Sequence, residues 1–89
     1  MSNMWQEKGD ALVAELLFKD FIDAFAFMTI VAELAEAQNH HPEWSNVYNR
    51  VSIRLTTHDA GNSITEKDRT LASAIEAHAE VRELITRVC

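Results

Sequence analysis

The chain has 89 residues, 47% of them hydrophobic and 25% charged, which suits one small globular domain over residues 1–89 and excludes a disordered chain. Eight Lys and Arg stand against 14 Asp and Glu, a net charge of −6, and the cations are scattered, so direct nucleic-acid binding is excluded. The one cysteine, Cys89, rules out an intrachain disulfide framework and suits a reducing, cytoplasmic setting.

The opening residues show no basic segment followed by an apolar one, so no signal peptide is expected. The most apolar stretch, Phe21 to Leu34, contains Asp23 and Glu33 and is too short to cross a membrane. A chain this short builds a modest core, which predicts self-association to bury further apolar surface.

Leu12–Phe18 (LVAELLF) reads as the first strand. Asp20 is placed to cap a helix, with Asp23 three residues on in capping-box position. Phe21, Phe25, Met28, Ala32 and Ala35 then recur at helical spacing and are expected to face the core. The helix should end near His40, because Pro42 disfavours helical geometry at His41.

Two strands follow, at 44–49 and 51–58, joined by a tight turn around Asn49-Arg50. In the second, Val51, Ile53, Leu55 and Thr57 share one face, while Ser52, Arg54, Thr56 and His58 share the other. Trp44 and Tyr48 read as packing residues of this pair. After the loop Gly61-Asn62-Ser63, Thr65 caps a last helix with Asp68 at its third position. Leu71, Ile75, His78, Val81, Ile85 and Val88 form its inner stripe, with His78 structural. The order strand, helix, strand, strand, helix predicts an α+β domain, an antiparallel sheet with helices packed on one face.

Three of the four histidines fall at element ends: His40 and His41 after the first helix, His58 at a strand tip. Imidazole exchanges protons near neutral pH, so three imidazoles brought together could supply an acid, a base and a binding group. Glu36, one helical turn before His40, is expected to orient it. His41, forced into extended geometry by Pro42, should point elsewhere. A zinc site built on His40 or His41, His58 and a carboxylate is the rival reading, but no HxxxH or CxxC spacing supports a metal.

The spacing Glu36-x3-His40-His41-Pro42, five residues, Tyr48, nine residues, His58, nine residues, Asp68 resembles the signature of pterin-4a-carbinolamine dehydratases. FKDF at 18–21, AFAFM at 24–28, NHHPEWSNVYNRV at 39–51, THDAG at 57–61 and TEKD at 65–68 extend the likeness from about Trp5 to Ile85. The resemblance implies a lyase that dehydrates 4a-hydroxytetrahydrobiopterin to quinonoid dihydropterin and water, recycling tetrahydrobiopterin. It also implies a homodimer or homotetramer with no metal and no cofactor.

By that likeness His40, His41 and His58 are the catalytic histidines, the first and last for proton transfer and His41 for binding. Glu36, Asn39, Pro42, Thr56, Thr57 and Asp59 then belong to the substrate site. Asp68 belongs to the family pattern as well as to the capping box, and Trp5 matches a tryptophan that the family carries near the pocket. The loop departs from the pattern: many relatives have a Gly-Gly pair there, whereas this chain reads Gly61-Asn62-Ser63-Ile64, with one apparent extra residue. Two other functions fit the resemblance: a non-catalytic dimerisation cofactor of transcription, and a binding module for another pterin such as molybdopterin.

Overall fold

The computed structural model describes residues 4–89. The elements run β1 (Gln6–Lys8), β2 (Ala11–Phe18), α1 (Phe21–Gln38), β3 (Glu43–Val47), β4 (Arg50–Leu55), α2 (Glu66–Ala77), α3 (Ala79–Leu84) and β5 (Ile85–Val88). A single 3-10 turn, His58–Ala60, follows β4. Every pairing is antiparallel. The α+β class is as expected, a five-stranded sheet with helices against it, but the order has three extra elements.

β2 is the hub. One of its edges pairs with β4 (Leu12↔Leu55 to Leu17↔Arg50), and β4 pairs in turn with β3. Its other edge is shared end to end: β1 covers Ala11–Val13 and β5 covers Leu16–Phe18. β1 and β2 meet at a two-residue turn in which Gly9 takes φ 62, a conformation glycine adopts without strain.

Alternation along the strands fills one face. Leu12, Ala14, Leu16 and Phe18 of β2 and Val51, Ile53 and Leu55 of β4 are buried, against Phe27, Val31, Leu71, Ile75 and Val81 from the helices. The Phe18 and Phe27 rings stack with centroids 5.0 Å apart. The β3–β4 turn is Tyr48-Asn49, one residue earlier than expected, and Asn46 Nδ2 fixes it by donating to the Tyr48 and Arg50 carbonyls. Tyr48 stands exposed in that turn with φ 50 rather than packing in a strand, while Trp44 packs against the core.

Asp20 caps α1 as expected, its Oδ1 accepting from the Asp23 N–H at 2.9 Å. The inward face of α1 is a correction. Ala24, Phe27, Val31 and Ala35 are buried, whereas Phe21 and Phe25 stand exposed and Met28 is only partly buried. The first half of this helix is apolar nearly all round, so periodicity alone does not choose a side.

The last helix is the second correction. It breaks at His78, whose ψ of 121° is extended, resumes briefly as α3, and gives way to a strand from Ile85. The pairing of β1 with β2 reaches only Val13, leaving the far half of that β2 edge without a partner from β1. The β-branched Ile85, Thr86 and Val88 supply that partner, so sheet hydrogen bonds override the helical periodicity. His78 therefore lies at a helix junction, with its Nδ1 buried and lacking a hydrogen bond.

Candidate active site

The site begins with the end of α1. Asn39 adopts the left-handed conformation (φ 52), and the His40 N–H returns to the Ala35 carbonyl at 3.0 Å. This reversal turns His40 inward, where its side chain is 10% exposed. The next residue, ahead of Pro42, points outward: the His41 side chain is 57% exposed.

The carboxylate partners differ from those expected. Glu36 pairs with His41, not His40, with Oε1 2.9 Å from Nε2. His40 instead donates from Nε2 to Asp68 Oδ1 at 2.6 Å. Asp68 is fully buried. Its Oδ2 accepts from the Thr57 hydroxyl at 2.7 Å and from the Thr65 N–H at 2.9 Å.

The capping box of α2 and the orienting group of His40 are thus one carboxylate. Burial alone would raise the Asp68 carboxyl. The hydrogen bonds from His40, Thr57 and Thr65, with the His40 charge, outweigh it and hold the group below its ordinary 3.8.

His58 reaches the same region from the end of β4. Its Nδ1 lies 2.8 Å from Asn62 Oδ1, and its Nε2 lies 3.2 Å from Glu43 Oε2. Glu43 also accepts from Arg54 at 3.1 Å, and Arg54 reaches Asp10 at 2.9 Å.

One cleft of about 200 Å³ is lined by Asn39, His40, His41, Thr56, Thr57, His58, Asp59 and Lys67. The fold therefore brings the three histidines together with Asn39, Thr56, Thr57 and Asp59. Pro42 is not among the lining residues. The Thr56 and Thr57 hydroxyls are engaged in the scaffold, Thr56 donating to the Asp10 carbonyl at 2.8 Å.

Trp5 lies elsewhere, beside a groove it shares with Glu7, Arg69 and Ser73. Lys67 went unnoticed in the sequence, as did the contacts of Glu43 and Asn62 with His58. The position of Lys67 in the first turn of the capped α2 was the available signal.

A larger groove of about 350 Å³ runs over Val13, Glu15, Trp44, Ser52 and Arg54 on the sheet. None of the residues that line it is a histidine. Among the described residues, no three His, Cys, Asp or Glu side chains are grouped to hold a metal ion. No helix among them is long and apolar enough to cross a membrane.

Known proteins resemble this chain. The family model for pterin 4 alpha carbinolamine dehydratase matches residues 1–78. A protein of Synechococcus sp. (strain WH7803) named after pterin-4-alpha-carbinolamine dehydratase is 59% identical over 82% of this chain and 77% of its own. One of Solibacter usitatus with the same name is 57% identical over 84% of this chain and 78% of its own.

The crystal structure of a transcriptional coactivator/pterin dehydratase from Brucella melitensis superposes with a TM-score of 0.78 at 43% identity. It covers 84% of this chain and 81% of that one. On the match of the family model over most of its length, and on these relatives, the chain belongs to the pterin 4 alpha carbinolamine dehydratase family.

Proposed function

We propose that this chain is a hydro-lyase that converts 4a-hydroxytetrahydrobiopterin to quinonoid dihydropterin and water, in the recycling of tetrahydrobiopterin, by histidine acid–base catalysis without a metal. The observation that carries the reading is the convergence of His40, His41 and His58 on one cleft, with a buried carboxylate behind His40. Hydroxide leaves poorly. An acid must protonate the 4a-oxygen as its bond to carbon breaks, and a base must take the proton from the adjacent ring nitrogen.

The Asp68 carboxylate accepts the Nε2 proton of His40 and so reserves Nδ1 of that ring as the base. His58, on the other side of the cleft, is the acid. His41, held by an exposed carboxylate, binds the substrate, with Asn39 and Asp59 beside it. A binding protein without catalysis has no need of a buried carboxylate–imidazole pair, which favours the enzyme.

The chain also works as a homo-oligomer in the cytoplasm. Phe21, Ile22 and Phe25 expose 43%, 72% and 57% of their surface along the first turns of α1, a patch that a second copy would cover. The test is a dehydration assay on synthetic 4a-hydroxytetrahydropterin. His40→Ala and His58→Ala should each lower kcat by ~10²–10⁴ with the fold intact. Wild-type rates in both variants would remove the assignment.

A further inference from the structure

The histidine cleft holds two side chains whose charges are unmatched. His40 is committed to Asp68, and the Thr56 and Thr57 hydroxyls belong to the scaffold. His41 and His58 each face a carboxylate. Asp59 and Lys67 are different. Both line the cleft and both are exposed, and neither side chain has a hydrogen bond or ion pair among the described residues. Their charges are opposite, yet they do not pair with each other.

The backbone fixes where each stands. Asp59 is the middle residue of the 3-10 turn after β4. Lys67 is the second residue of α2, directly before the buried Asp68, and its N–H donates to the Thr65 hydroxyl at 3.3 Å. The capping box that holds the carboxylate behind His40 therefore also fixes the backbone of Lys67.

An ammonium only donates and a carboxylate only accepts. A ligand that meets both needs an acceptor and a donor on one edge. The net charge of −6 disfavours an anion, so a neutral ligand with that pattern fits better. The pyrimidinone edge of a pterin has the pattern: its 4-oxo oxygen accepts, while N3–H and the 2-amino group donate. C4 is bonded directly to C4a, so a contact on the 4-oxo oxygen holds the reacting carbon among the histidines of the same cleft.

We propose that Lys67 binds the substrate by donating to the 4-oxo oxygen, while Asp59 accepts from N3–H and the 2-amino group. The pair orients the ring and selects the 4-oxo form. The assignment deepens the dehydratase reading and rests on the same cleft.

The test is titration calorimetry of the full chain with 7,8-dihydropterin, which is not dehydrated, at mildly alkaline pH. The comparison ligand is 2,4-diamino-7,8-dihydropteridine, in which a donor replaces the 4-oxo acceptor. Wild type should bind the 4-oxo compound at least about tenfold more tightly, the scale of one charge-assisted hydrogen bond. Lys67→Gln should weaken the 4-oxo compound about tenfold and narrow the gap at least about fivefold, because its amide oxygen accepts from the 4-amino group. Lys67→Arg, which keeps the charged donor, should stay within about threefold of wild type. In the dehydration assay, most of the loss in Lys67→Gln should fall on KM.

An unchanged preference in Lys67→Gln overturns the proposal, as does a lowered Tm with binding intact, which would mark a structural lysine. Failure of the wild type to bind dihydropterin overturns it too. Binding with the expected preference but no turnover would defeat the proposed reaction and leave this assignment standing.

Discussion

Asp68→Asn tests the site and the fold together. The wild-type carboxylate accepts three hydrogen bonds while fully buried, one from the His40 imidazole, one from the Thr57 hydroxyl and one from the Thr65 N–H of the capping box. Asparagine keeps one accepting oxygen. If that oxygen stays with Thr57 and Thr65, the amide group must donate to His40 Nε2, which forces the His40 proton onto Nδ1. Hydrogen bonds to a charged group contribute ~1.5–3 kcal/mol and neutral ones ~0.5–1.5, so weakening three of them costs ~3–4.5 kcal/mol. For a domain of this size that lowers Tm by about 12–36 °C.

The inverted tautomer removes the base nitrogen, and kcat should fall by ~10²–10⁴. The Asp68 carboxyl is held below its unfolded value of 3.8. Its contribution is therefore complete above that value and disappears as pH falls through the folded pKa. Urea denaturation of both proteins should show a constant stability gap at and above about pH 5 and a shrinking one below 3.8. Equal stability at neutral pH, or a gap that widens on acidification, would refute the reasoning.

Phe27→Ala opens a cavity against Phe18 in the fully buried core and should cost ~3–5 kcal/mol in denaturant melts. By contrast, Phe25→Ser on the exposed side of α1 should change the stability of the isolated chain by less than ~0.5 kcal/mol. In sedimentation it should shift the oligomer toward monomer; an unchanged sedimentation coefficient would place the self-association surface elsewhere. Dialysis against EDTA should leave the dehydration rate unchanged, and loss of most activity would restore the zinc reading, with His40 or His41, His58 and a carboxylate as ligands.

The sequence by itself determined the local signals. The caps at Asp20 and Thr65, the alternation of Val51, Ile53 and Leu55, and the end of α1 ahead of Pro42 each depend on neighbours within a few residues, and each appears in the structure. His40 and His41 stood out for the same reason, since they follow the end of α1, whereas His58 opens the 3-10 turn beyond β4 rather than ending the strand.

Partners across the chain were decided only by the tertiary structure. Glu36 is close to both His40 and His41 in sequence, and only the left-handed turn at Asn39 sends the first ring inward to Asp68, 28 residues away. The buried side of α1 was illegible because apolar residues surround it, and only the sheet decides which of them face inward. Residues 85–88 fit helical spacing equally well. They became a strand because half an edge of β2 would otherwise have kept its backbone groups unpaired.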